Sequence, residues 1–182
     1  MTHAETVESP IVGLAAAEHN QGNAHAALTL LEYGDYECPA CIQAEPVTRH
    51  LVDTYGKQMR FVFRHFPLME VHPHAERAAE AAEAAAAQGK FWPMHHLLFS
   101  QTRRLEPKAL AGYAESIELD MIRFNSEMAD RIYLQRVQEH RRAGEQSGLR
   151  ATPAFFLDGD IVDVSFGFDG LEAAVRAALF SR

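Results

Sequence analysis

Cys38 and Cys41 are the only two cysteines of this chain, and they stand in a C-x-x-C spacing with Pro39 and Ala40 between them. Thiols three positions apart across the start of a helix can close a small disulfide. The first sits where free N–H groups and the helix dipole favour a thiolate. An ordinary cysteine titrates near about 8.5, and a helix N-terminus lowers that to about 7 or below. A pair so placed suits reversible thiol–disulfide exchange, which needs neither a metal nor an organic cofactor. A structural zinc site needs four ligands, and the chain has no second C-x-x-C. His72, His74, His95 and His96 could supply imidazoles, but nothing in their spacing ties them to Cys38.

The flanking sequence supplies elements to hold the pair. Leu28 to Asp35 is nearly continuously apolar, as a buried central strand should be. Pro39 suits a first helical turn, and the helix should run to Tyr55 with Gly56 as its stop. Met59 to Phe66 alternates apolar and basic residues and reads as a second strand. An alanine-rich helix is expected from Pro73 through Gln88, closed by Gly89, then helices over 92–102, 107–117 and 120–145. Ala154–Leu157 and Ile161–Val164 flank Asp158-Gly159, a strong hairpin signal. A last helix presents Leu171, Val175 and Leu179 on one face. The expected division is an N-terminal arm or edge segment over residues 1–22, then one domain over 23–182 with a helical insertion over about 70–147.

Bulk properties narrow the function classes. With 182 residues, 47% of them hydrophobic and 23% charged, the chain can bury a core. Its net charge of -8 argues against nucleic acid or an anionic membrane as the main partner. The early apolar run Ile11–Ala17 is short and no lysine or arginine precedes Arg49, so neither a secretion signal nor membrane insertion is expected. The expectation is a cytoplasmic protein. In a reducing compartment a cysteine pair is more often catalytic or metal-binding than structural.

The strand–C-x-x-C–helix unit, the later Thr152-Pro153 before a hairpin, and the helical block between them resemble the thioredoxin superfamily, in its DsbA-like branch. Phe63-Arg64-His65-Phe66-Pro67-Leu68, Val71-His72-Pro73-His74-Ala75 and Phe91-Trp92 sharpen the likeness to DsbA-like domains found alone or fused to bacterial sodium/proton antiporters. The resemblance implies an α/β thioredoxin-like fold with an inserted helical subdomain. It implies Cys38 as nucleophile, Cys41 as resolving cysteine, Pro153 as a cis-proline and Thr152 as a backbone partner for an extended substrate. Glu32 matches a buried acidic residue able to exchange a proton with Cys41.

One departure bears on direction. The best-known DsbA oxidases carry histidine where this chain has Ala40, and valine where it has Thr152. That histidine stabilises the thiolate. Without it, a reductase or general thiol–disulfide oxidoreductase is expected rather than a strong oxidase. Its substrates would be proteins or small thiols, and a separate redox partner would recycle it. The alternative is a redox-sensing or partner-binding module that switches without turnover. The other histidines, His65 among them, are expected to be structural, and Trp92 to lie in the core.

Overall fold

The computed structural model describes residues 18–100 and 104–181. The elements follow in chain order as β1 (His19–Gly22), β2 (Leu28–Gly34), α1 (Pro39–Tyr55), β3 (Met59–His65), α2 (Ala75–Ala86), α3 (Phe91–Ser100), α4 (Pro107–Ser116), α5 (Met121–Ala129), α6 (Leu134–Gln146), β4 (Ala154–Leu157), β5 (Asp160–Val162) and α7 (Asp169–Phe180). They build one sheet in the order β1-β3-β2-β4-β5. Strands β2 and β3 run parallel, joined by α1, and the other three pairings are antiparallel. Helices α2 to α6 enter between β3 and β4 as the inserted helical subdomain.

Side chains on β2 alternate between two packed faces. Leu28 and Leu30 join the large core that includes Cys41, Ala44 and Leu51 of α1, while Leu31 and Tyr33 join a smaller one with Phe66 and Phe156. Glu32 shares the parity of Leu28 and Leu30, so the pleat carries a carboxyl into the main core. Its register neighbours are Phe63 of β3 and Phe155 of β4. Buried alanines on α2, such as Ala78, Ala81, Ala82 and Ala85, fit its close packing against α3.

Two expectations are corrected. Residues 19–22, the end of the arm or edge segment expected over 1–22, pair antiparallel with β3 as an edge strand. Residues 1–17, including the run Ile11–Ala17, lie outside the described residues, as do 101–103, where the helix expected over 92–102 ends. The single helix expected over 120–145 is two, α5 and α6. Between them Arg131 takes a left-handed backbone (φ 52°). Its guanidinium reaches Glu76 and Glu80 of α2, at 2.5 and 2.6 Å. Charge-assisted bonds to a buried carboxylate offset the local backbone cost. Finally, β5 ends at Val162, short of the expected Val164.

The Asp158-Gly159 turn behaves as its sequence predicts. Both residues have positive φ, 51° and 100°, which two-residue hairpins of this hand require.

Candidate active site

Cys38 is the N-cap of α1, with an extended backbone, and Pro39 follows in the first turn. Its own N–H donates to Asp35 O at 3.2 Å and its carbonyl accepts from Ile42 N–H at 3.1 Å. The Cys38 thiol donates to Thr152 O at 3.4 Å, across 114 positions of sequence. The Thr152–Pro153 peptide is cis. Strand β4 starts directly after it and pairs with β2, so the sheet itself brings this loop to the helix start. Both cysteines are free thiols. Cys38 keeps 7% of its surface and Cys41 none.

The two sulfurs therefore differ in acidity. The Cys41 thiol donating to it, above all, and then the Thr152 side chain and the amides of residues 40 and 41, bring Cys38 down to about 5 against the opposing cost of burial. Burial pushes Cys41 well up, and the charges of Glu32 and Cys38 push the same way. Cys41 Sγ accepts from Asp35 N–H at 3.5 Å, too little to reverse this. At neutral pH the pair is a thiolate in front of a thiol.

Glu32 is 2% exposed, and its Oε1 has no hydrogen-bond partner among the described residues. Burial, then the charges of Glu45 and Cys38, raise it to about 8. It is thus a neutral acid at pH 7. The Thr152 hydroxyl is likewise buried, with no regular hydrogen bond among the described residues, yet it lies near enough to Cys38 to lower its thiol. It is positioned to donate once Cys38 is a thiolate, a role additional to the backbone role expected from sequence. Ala40 is half-buried and contributes no charge.

The structure thus brings together Cys38, Cys41, Glu32, Thr152 and Pro153. Sequence reasoning missed Asp35, whose carboxylate accepts from Glu37 N–H (2.7 Å) and Leu68 N–H (2.8 Å) and faces His72 Nδ1 at 2.8 Å. Its place three residues before Cys38, where a strand ends, was the available signal. His65 is buried elsewhere: its Nε2 and that of His19 share Glu83 Oε1 at 2.8 and 2.7 Å, while Arg136 lies 2.8 Å from Oε2. These three are the potential metal-binding group among the described residues. Here Glu83 is occupied on both oxygens, and the cluster ties β1 and β3 to α2 and α6. Trp92 packs at the edge of the main core and donates to Asn20 O at 3.1 Å.

A parallel β–α–β unit with a C-x-x-C helix start, an antiparallel hairpin behind a cis-proline, and a helical insertion define a DsbA-like thioredoxin fold. A family model described as Thioredoxin matches residues 15–177, and the chain belongs to that family. It is 45% identical over 161 residues to a protein named Na(+)/H(+) antiporter NhaA 1 from Salinispora arenicola, covering 88% of this chain and 24% of that protein. The chain thus spans about a quarter of the length of the curated relatives it matches. Among solved structures, a thioredoxin-like oxidoreductase from Silicibacter pomeroyi superposes with a TM-score of 0.79 at 25% identity, covering 90% of this chain and 93% of that one. The thiol-disulfide exchange protein alpha-DsbA2 from Wolbachia pipientis gives 0.80 at 18% identity, covering 93% and 90%. No described helix is long and apolar enough to cross a membrane.

Proposed function

We propose that the protein is a thiol–disulfide oxidoreductase, a reductase or general exchanger rather than a strong oxidase, acting on protein or small-molecule disulfides in a reducing, cytoplasmic setting. The observation that carries this reading is the asymmetric pair: a thiol lowered to about 5 at the start of α1, with a raised, fully buried thiol behind it.

In the reductive direction the Cys38 thiolate attacks one sulfur of the substrate disulfide. That S–S bond breaks, a mixed disulfide forms, and the leaving thiolate takes a proton from water. Cys41 then loses its proton and attacks Cys38 Sγ. The Cys38–Cys41 bond forms as the mixed bond breaks, and the substrate leaves with both sulfurs reduced. A thiol donor restores the pair by the same steps reversed.

Glu32 fits the second step as proton acceptor. Its carboxyl is raised partly by the Cys38 negative charge. In the mixed disulfide that charge is gone, so Glu32 ionises more readily at the moment when Cys41 must give up its proton. The Thr152 carbonyl, beside Cys38 and ahead of β4, suits an extended segment of substrate, and the cis-Pro153 loop places it there.

Reduction of insulin disulfides with a thiol donor tests the reading. Many equivalents should turn over with the wild type and none with Cys38→Ser, and Cys41→Ser should accumulate a mixed disulfide. A wild type that consumes a single equivalent would instead mark a redox sensor, and the catalytic reading would fall.

A further inference from the structure

His72 lies in the loop between β3 and α2, outside the helix that bears the pair. Its Nδ1 is 2.8 Å from Asp35 Oδ2, and the Asp35 side chain is fully buried. The Asp35 backbone is already part of the redox turn, because its carbonyl accepts from Cys38 N–H and its N–H donates to Cys41 Sγ. One residue therefore joins the imidazole to both cysteines. The loop is fastened a second time where His74 N–H donates to Glu37 Oε2 at 2.8 Å. The His72 side chain is only 17% exposed, so bulk water screens it weakly.

The charged groups facing His72 are Asp35 and Glu37, from the turn before α1, and Cys38 itself. Glu70 on its own loop is engaged by Arg141 of α6 at 2.8 Å. Burial favours the neutral imidazole, but the hydrogen bond to Asp35, with the charges of Asp35, Cys38 and Glu37, outweighs it and holds His72 above its ordinary 6.5.

We propose that His72, held by Asp35 beside the cysteine pair, is a positioning residue for the exchange reaction: its imidazolium balances the buried Asp35 carboxylate and the Cys38 thiolate. The inference deepens the proposed exchange function and rests on it. Without His72, the buried Asp35 carboxylate would lose its counter-charge three residues ahead of Cys38, and a negative charge left there opposes the thiolate, as like charges do. The coupling is reciprocal. Reduction of the Cys38–Cys41 disulfide by a dithiol such as dithiothreitol delivers two electrons and leaves one proton on Cys41 and a negative charge on Cys38. That charge strengthens the hold of His72 on its own proton, so the reduced protein takes up a further fraction of a proton near neutral pH.

The test is the His72 imidazole titration followed by NMR in the oxidised and reduced wild-type protein, beside the Cys38 thiolate absorbance of His72→Gln and His72→Lys. The expected results are a His72 pKa higher in the reduced form, and a Cys38 pKa raised by about half a unit in His72→Gln, about a threefold loss of thiolate at low pH. His72→Lys, which keeps the positive charge, should restore the low Cys38 value. An identical His72 titration in both redox states, or a Cys38 titration unchanged by His72→Gln, would overturn the proposal. The NMR comparison needs no variant, so it decides the matter even if His72→Gln folds poorly. A wild type unable to form the Cys38–Cys41 disulfide would be a different failure, that of the exchange function itself.

Discussion

Replacing Glu32 with glutamine removes an ionisable group from the core while keeping its shape. The carboxyl is raised from 4.5 to about 8, chiefly by burial. A group whose folded pKa is raised favours the folded state most fully below its unfolded value, and that contribution is lost as pH rises through the folded value. The window is therefore 4.5 to about 8. At about 1.4 kcal/mol per unit, the ionisation penalty grows by about 4 kcal/mol between pH 5 and pH 9. Glu32→Gln escapes this penalty, and any cost of burying the amide is independent of pH. Urea unfolding of both reduced proteins across that range should show the variant gaining about 4 kcal/mol on the wild type as pH rises. A difference that stays flat within about 1 kcal/mol would refute a buried carboxyl with a raised pKa. The same variant should slow resolution of the mixed disulfide by Cys41 and spare the first attack by Cys38.

Other expectations are equally direct. Iodoacetamide should label Cys38 well before Cys41, with a midpoint near pH 5, whereas equal labelling would contradict the asymmetry of the pair. Thr152→Val should shift that midpoint upward and Thr152→Ser should restore it, because the hydroxyl is available to the thiolate. Burial lowers His140 to about 2 from 6.5, so its neutral form supports the fold above 6.5 and that support is lost as pH falls. His140→Asn should thus flatten acid destabilisation by about 3 kcal/mol at pH 4, read by urea unfolding. At Gly144 an added Cβ would lie 2.6 Å from the Phe66 ring. Gly144→Val should cost about 1–3 kcal/mol in denaturant midpoints while leaving the thiolate titration of Cys38 unchanged.

Short-range chemistry was legible in the sequence. The helix start at Pro39, the Asp158-Gly159 hairpin and the buried strand Leu28–Gly34 each follow from local rules about capping, turns and hydrophobic runs. Glu32 could be expected in the core from its strand position and the family resemblance together. What the sequence hid depends on distant partners. The break between α5 and α6 follows from Arg131 meeting Glu76 and Glu80, some fifty positions earlier, and no local helix breaker announces it. Asp35 and His72 lie 37 positions apart and meet where the loop after β3 folds back over the end of β2, held by Phe66 N–H to Gly34 O and Leu68 N–H to Asp35 Oδ2. The edge strand β1 has polar residues throughout, His19 to Gly22, and its pairing is visible only against β3.

The reduction potential of the Cys38–Cys41 couple, measured by equilibration with glutathione and mass detection of each form, tests the central claim most directly. Thioredoxin, with a nucleophile near 7, stands at about -270 mV, and the strongest oxidant, with one near 3.5, at about -120 mV. A thiolate at about 5 stabilises the reduced form at pH 7 by about 2.3 kcal/mol more than one at 7, or about 50 mV for two electrons. The predicted potential is therefore about -220 mV, with a single two-electron transition. A value near -120 mV would contradict the assignment as a reductase or general exchanger, and the absence of any reversible Cys38–Cys41 disulfide would contradict exchange altogether.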